Sequence, residues 1–381
     1  MVSFYQVVLP PNHAPHNEPS DVLRNFIFSA NLAAQDITND TATSSSATQI
    51  LSALAGSPLK QTILLAVQLA GTTTLSATGS YGYPMISAVE TSTLTAGFVN
   101  APDNFTEPIL GFLEINLNMQ SDLNAIDCDI TLDAELQPLP GETLDKEIFT
   151  IVSALVAEAC SFAQKIHRPV VRFWLRHSHP GSGLHEVVTT ELSQNGFHCA
   201  LAEIQGYIPA EKHILPLPPR YSFDFYRDHN PNKAHINSLL NLFELAESHI
   251  PTGTLSVSPQ PWTTQRLKQS HVHTVDRGNQ TTTVIVLFDD HPIAFSEIIN
   301  RAGSHPTVVE QGATFVHPQH QGRGIGQALK AQAIRSAIEL WPETRKIYTD
   351  MEISNTRILK INEQFGFHSI ARTQAWQKTL S

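Results

Sequence analysis

Val316-His317-Pro318-Gln319-His320-Gln321-Gly322-Arg323-Gly324-Ile325-Gly326-Gln327-Ala328-Leu329 leads from an apolar strand, through alternating glycines, into a helix. Ile325, Leu329, Ala333 and Ala337 recur at the spacing of one buried helical face, which predicts a helix over 324–340. The first N–H groups of a helix have no internal partner, and the macrodipole adds partial positive charge there. Glycines at such a turn let an anion approach the backbone closely, as a pyrophosphate requires. The run is no dinucleotide fingerprint, because the third glycine is replaced by Gln327, and no Gly-Lys-Ser/Thr marks a P-loop. Two readings stay open on the run alone: an anion-binding turn, or a glycine-rich helix cap with no ligand.

Around this stretch, alternation predicts strands at 282–288 and 292–300, joined by Asp289-Asp290-His291, and at 311–316. A strand at 346–351 and a helix at 356–365 follow the glycine turn, ending at Gly366-Phe367. The first half repeats this order. Strands are predicted at 111–118 and 127–134, a helix at 144–166, a strand at 170–175, and a helix from about Gly183 to Gly196-Phe197. The parallel suggests a divergent tandem duplication of two mixed α/β units rather than a short-period solenoid. Between them, His213–Tyr221 (HILPLPPRY) is too proline-rich to continue a helix. The expected domains are therefore 1–210 and 211–381. Asp40–Ala55 reads as a surface loop running into a helix start.

The 381 residues are enough for two or three domains. At 41% hydrophobic content the chain has material for a core, so disorder throughout is excluded. With 24 basic and 35 acidic residues the net charge is −11, and no basic stripe points to nucleic acid. A neutral or cationic small substrate suits that balance better. The sequence shows no membrane-length apolar run and no signal-peptide pattern at its start. Cys128, Cys160 and Cys199 are too few and scattered for a disulfide framework or zinc knuckle. The expectation is a cytoplasmic protein with no metal, no membrane association and no nucleic-acid partner.

The pattern Val316-x-Pro318-x-x-Gln321-x-x-Gly324-x-Gly326 resembles the acyl-coenzyme A pyrophosphate loop of the GNAT acetyltransferase superfamily. Asn355-Thr356-Arg357-Ile358-Leu359-Lys360-Ile361-Asn362-Glu363-Gln364-Phe365-Gly366-Phe367 resembles that superfamily's closing helix, at the expected distance. The two together cover about residues 255–381. The tandem arrangement is similar to double acetyltransferases of the mycothiol synthase type. The resemblance implies an α/β (α+β) fold of two tandem GNAT-like units, each a mixed central sheet flanked by helices, the first degenerate. It implies transfer of an acyl group from acetyl-CoA to a small-molecule amine by direct attack on the thioester, with a homodimer as a possible assembly. Carried over, Thr314, Phe315 and Val316 would offer backbone groups to the pantetheine arm. Gln321, Gly322, Arg323, Gly324, Ile325, Gly326 and Gln327 would cradle the pyrophosphate. Asn355 would serve near the thiol as ligand contact, helix cap or both.

One position departs from the superfamily. The tyrosine that protonates the leaving thiolate is replaced by Asn362, which cannot act as a general acid but can donate a hydrogen bond. This leaves an alternative reading, a non-catalytic acyl-CoA-binding or regulatory pseudoenzyme. Candidate bases are Glu297, Glu310 and Glu352, each also readable as a solvated surface carboxylate, while Tyr348 is either an acid or a packing residue. In the first half, Leu132–Glu142 carries prolines and acids where the glycine turn should be, so that unit is expected not to bind coenzyme A. It would then serve as scaffold or as a wall of the substrate cleft. His271-Val272-His273 would place two rings on one side of a strand as a metal pair or as plain surface residues. His317 and His320 flank the turn as phosphate neighbours or solvated loop residues. Trp262 and Arg266 are expected to pack a helix, and Trp376 to pack on a sheet or line a cleft.

Overall fold

The computed structural model describes residues 2–11, 18–70, 78–90, 108–138, 146–178 and 183–381. The chain divides into two compact units. The first holds Met1–Leu201, Thr254–Ser256 and Arg372–Ser381, and the second holds Ala202–Gly253 and Val257–Ala371.

The first unit contains β1 (Val2–Val8), α1 (Asp21–Thr38), α2 (Ala47–Ala55), β2 (Lys60–Leu69), β3 (Met85–Ser87), β4 (Ile109–Asn118), β5 (Ala125–Leu132), α3 (Lys146–Lys165), β6 (Val170–His177) and α4 (Gly183–Gln194). Its sheet runs β3-β1-β2-β4-β5-β6, and Arg372–Thr379 pair antiparallel with β6. Ser20 and Ser46 accept N–H groups at the starts of α1 and α2, satisfying helix donors that have no internal partner. Within Asp40–Ala55, Thr41–Thr43 form a short 3-10 turn and the α-helix begins after the capping serine. Apolar side chains of β2, β4, β5 and β6 meet α3 and α4 on one face, and those of β1, β2 and β4 meet α1 and α2 on the other. The 144–166 helix appears as α3, while Leu144 lies outside the described residues, as do Leu139–Glu142 of the first-half loop. α3 is, against expectation, long and apolar enough to cross a membrane by length and composition. Its apolar side instead packs into the first unit's core through Ile151, Val152, Leu155, Ala159 and Phe162.

The second unit begins within β7 (His198–Pro209) and continues with β8 (Tyr221–Arg227), α5 (Ile236–Glu247), α6 (Thr264–Asp276), β9 (Gln280–Phe288), β10 (His291–Asn300), β11 (Val308–Val316), α7 (Ile325–Leu340), β12 (Lys346–Glu352) and α8 (Thr356–Gln364). The last strand, β13 (His368–Thr379), starts in this unit and ends in the first. The sheet order here is β8-β9-β10-β11-β12-β7. The division falls ahead of the expected 210/211 boundary because Glu203–Pro209 form the antiparallel partner of β12. α7 packs its Ile325, Leu329, Ala333 and Ala337 stripe on one face of the sheet, and α5 and α6 cover part of the other.

The first unit opens with β1, α1, α2 and β2 ahead of the strand expected at 111–118, and the second runs from β7 through β8, α5 and α6 ahead of the strand expected at 282–288. In both, the closing helix ends on a left-handed glycine, Gly196 or Gly366. The following phenylalanine N–H reaches back, Phe197 to the Leu192 carbonyl at 2.9 Å and Phe367 to the Asn362 carbonyl at 3.1 Å. His271 and His273 are corrected by the structure, since both lie on helix α6 rather than on a strand. Two helix positions are about 200° of rotation, so the rings point away from each other. Their surroundings differ, with His271 Nδ1 2.5 Å from the Asp228 carbonyl and His273 partly buried. No group of three metal-ligating side chains occurs among the described residues. Trp262 and Arg266 do pack α6 against α5. Arg266 lies 4.0 Å over the Trp262 ring, and both side chains donate to Glu247, at 2.9 and 2.7 Å. Trp376 packs on the first unit's sheet core.

Candidate active site in the second unit

β11 and β12 run parallel but pair only at Val308↔Lys346, Val309↔Ile347 and Glu310↔Tyr348. β11 continues to Val316 and β12 to Glu352, so beyond Glu310 the β12-facing edge of β11 has no partner in β12. The unused edge holds backbone groups that an extended amide-bearing chain can satisfy. Thr314, Phe315 and Val316 lie on it. Phe315 turns its ring into the core beside Phe295 and His249, so only its backbone is offered.

The strand leads into the glycine turn. Gly322 and Gly324 both have φ of 76°, the left-handed region where a Cβ is costly. Gly324 caps α7 with no side-chain bond, and the first helical backbone bond runs from Ala328 N to Gly324 O. The N–H groups of residues 325–327 therefore precede the intrahelical ladder and are available to an anion. The polar side chains of the turn bond to protein instead. Gln321 Nε2 donates to the Val316 carbonyl at 2.8 Å, and its Oε1 accepts from Arg357. Arg323 donates to Tyr221 Oη at 3.1 Å, and Gln327 to Gln364 at 2.6 Å. Tyr221 Oη also lies 2.9 Å from His320 Nδ1. Burial and nearby Arg323 hold His320 below the usual histidine range, so it adds little positive charge near neutrality.

α8 closes the other side. The Asn355 side chain caps it, accepting from Ile358 N at 3.3 Å. Asn362 is 1% exposed, its Nδ2 3.5 Å from Met351 Sδ. Its Oδ1 has no hydrogen-bond partner among the described residues. An orphaned buried carbonyl oxygen costs stability in water-free surroundings, and it fits a ligand bearing N–H groups. Open left-handed glycines, free helix N–H groups and this oxygen together suit coenzyme A, with its diphosphate and two amides.

The three candidate bases separate clearly. Glu310 is tied to Arg301 at 2.6 Å and is part exposed. Glu352 accepts from Ser354 N at 2.9 Å and caps a turn. Glu297 is different. Between Ser296 and Ile298 the β10–β11 register shifts, and the bulge sets Glu297 against Gly312. A Cβ on Gly312 would lie 2.7 Å from Glu297 Oε1, so any larger residue there would push this carboxyl from its place. Burial pushes Glu297 above the ordinary carboxylate range, and His229 Nδ1 lies 3.3 Å from its other oxygen. Tyr348 is edge-on to Tyr207, with 6.3 Å between ring centroids.

Several relevant groups were not expected from sequence. Glu203 lies opposite Glu352 on the neighbouring strand, and burial together with Asp350 and Glu352 pushes its pKa to about 7. By strand alternation Tyr348, Asp350, Glu352 and Glu203 share one face. A further buried polar cluster, Lys330 with Gln311 and Ser296, lies behind Thr314. Its one visible sign was a lysine one residue along from Leu329 within an apolar helical stripe.

Residues 242–367 match the acetyltransferase (GNAT) family model. This segment is a GNAT-family domain. Solved structures extend the likeness in fold to the whole chain. A tandem GNAT protein from the clavulanic acid biosynthesis pathway, solved without acetyl-CoA, has 15% identity and a TM-score of 0.66, covering 100% of this chain and 98% of its own. A GCN5-related N-acetyltransferase from Sphaerobacter thermophilus has 12% identity and a TM-score of 0.58, covering 98% and 97%. The glucosamine N-acetyltransferase region of a fungal multi-domain GH3 β-N-acetylglucosaminidase has 10% identity and a TM-score of 0.54, covering 99% of this chain and 38% of that one. No curated protein matches by sequence. The chain thus has a mixed α/β fold, similar over its whole length to that of these tandem GNAT structures. The GNAT fold is one that supports acyl transfer in general.

Proposed function

We propose that the protein is an acetyl-CoA-dependent N-acetyltransferase acting on a small cationic amine, with the cofactor held by the GNAT-family unit alone. The observation that carries this reading is the early parting of β11 from β12 beside a helix start whose N–H groups no side chain caps. Acetyl-CoA, when bound, supplies the acyl group already activated as a thioester. The turn from Gln321 to Gln327 would hold the diphosphate, and the open edge of β11 the pantetheine amides. Asn355 and Asn362 flank the thiol end.

The chain's own residues do the rest. An alkylammonium must lose a proton before its nitrogen can attack. Glu297 is the base this reading favours, because its burial raises its proton affinity toward neutrality while His229 gives it a neighbour to pass the proton to. Asp350 and Glu352 supply negative charge for an ammonium-bearing acceptor, and Glu203, with a pKa of about 7, adds a partial charge that a bound cation would complete. A main-chain N–H of β11 beyond Glu310 would polarise the acyl oxygen.

Asn362 favours a second reading, a protein that binds acyl-CoA without turning it over, since an amide is no acid for the departing thiolate. Acetyl transfer over a panel of amines separates the two. Amine-dependent release of coenzyme A well above hydrolysis supports the enzyme, and hydrolysis-level rates with every amine support the binding protein.

A further inference from the structure

Behind β11 lies a polar cluster in an otherwise apolar layer. Lys330 on α7 is 3% exposed and donates to Gln311 Oε1. Gln311 Nε2 donates to both Ser296 Oγ and Thr314 Oγ1, each at 2.7 Å, and the two hydroxyl oxygens are 2.9 Å apart. Ser296 is fully buried, Gln311 is 8% exposed and Thr314 is partly exposed.

The hydrogens of this cluster can be followed one by one. A lysine amine with its N–H aimed at an amide fixes which end of that amide it meets, the oxygen. Gln311 is therefore locked with its NH₂ toward the hydroxyls, and both of its hydrogens are used. Two hydroxyls remain with two hydrogens, and only one can lie on the line between them. Ser296, sealed from solvent, gives its hydrogen to Thr314. Thr314 then accepts two hydrogen bonds and keeps one O–H to donate, on the strand segment where β11 has left β12. Accepting two bonds polarises that O–H and strengthens it as a donor.

We infer that Thr314 donates a hydrogen bond to the acyl oxygen of the bound thioester, and that Lys330 is the positioning residue that keeps this donor available by orienting Gln311. The assignment rests on the cofactor reading above. Were Lys330 lost, Gln311 would be free to turn its oxygen to the hydroxyls, and the spare hydrogen would be taken up internally. Burial lowers the Lys330 pKa to about 7, so near neutrality the protonated and neutral amine are comparably populated, and the protonated form, which has no lone pair, is the one that fixes Gln311.

The test is isothermal titration of the full chain with acetyl-CoA and with free coenzyme A, which lacks the acyl oxygen. Thr314→Val and Lys330→Met are expected to weaken acetyl-CoA about three- to tenfold while leaving coenzyme A unchanged, the scale of one neutral hydrogen bond. Thr314→Ser is expected to restore the wild-type ratio of the two affinities. If Lys330→Met does not fold, the valine and serine variants at 314 decide alone. An unchanged ratio in Thr314→Val, or a serine variant that behaves as valine does, overturns the inference while the cofactor reading stands. Wild-type protein that binds neither ligand overturns both.

Discussion

The two units share a way of opening a sheet and differ in what fills the opening. In the first, β5 and β6 pair only from Ala125↔Val170 to Cys128↔Phe173, although β5 runs to Leu132 and β6 to His177. In the second, β11 and β12 part after Glu310↔Tyr348. Beyond that point they diverge in chemistry. The turn after β5 is stitched to α1. Asp133 accepts from Asn25 at 2.7 Å, Ala134 N donates to Ser29 Oγ at 3.0 Å, and Gln137 donates to the Ser29 carbonyl at 2.8 Å. The turn after β11 ends on Gly324, and no side chain caps the helix that follows. A fold of this kind keeps its wedge whether or not it binds anything. What distinguishes a binding unit is whether the polar groups at the mouth are already satisfied by the protein.

The comparison breaks most directly at Gly324. In wild type, acetyl-CoA at one hundred times its dissociation constant should stabilise the fold by about 2.7 kcal/mol, several degrees in the melting midpoint. Gly324→Glu should lose that shift entirely, with the unliganded stability lowered only by the roughly 1–2 kcal/mol of a left-handed non-glycine residue. A full shift in the variant would mean that the cofactor is held elsewhere.

Next comes the bulge. Glu297→Gln should reduce amine acetylation by about 10²–10⁴-fold. Because burial raises the Glu297 pKa, the wild-type rate should climb with pH through a limb above the ordinary carboxylate range, as the carboxyl becomes a base. That limb should vanish in the glutamine variant, and stopped assays from pH 5 to 9 would reveal it. Gly312→Ala, which crowds the same carboxyl, should fall between the two.

A smaller effect sharpens the contrast through Lys330. Its pKa is about 7 when folded and near 10.4 when unfolded, so between those values the unfolded chain binds more protons. Stability should therefore rise with pH across that window, by at most about 1.4 kcal/mol per unit from this group. Below pH 7 both states are protonated, so the group adds no slope and its burial penalty is fully expressed. Urea melts of Lys330→Met should show a flatter pH dependence between 7 and 10. The smallest effect is expected in the first unit. Asn25→Ala should cost about 1 kcal/mol, with acetyl-CoA affinity unchanged.

Local signals carried most of what sequence could tell. The glycine run, the helical stripe from Ile325 to Ala337 and the paired Gly-Phe ends each depend on a few neighbouring residues, and each appears as expected. Alternation misled at His271-Val272-His273, where the Thr263 cap and the leucine at 267 belong to helix α6. α1 and α5 went unread, as did β1, β2 and β8, while α2 was read only at its start. The contrast among Glu297, Glu310 and Glu352 could not be read at all. It depends on a register shift and on which strand carries Gly312, facts of pairing between distant segments. The same is true of the Lys330 cluster, whose members come from β10, β11 and α7.

The membership of Arg372–Ser381 in the first unit has a bearing on how the molecule is made. Those residues are synthesised some two hundred positions after β6, yet they complete its sheet edge. Until then β6 presents an unpaired row of amides and carbonyls, the kind of edge that recruits stray strands. A nascent chain released early, or a clone cut after Leu201, should be prone to clump. A synthetic peptide spanning 372–381 should rescue its solubility.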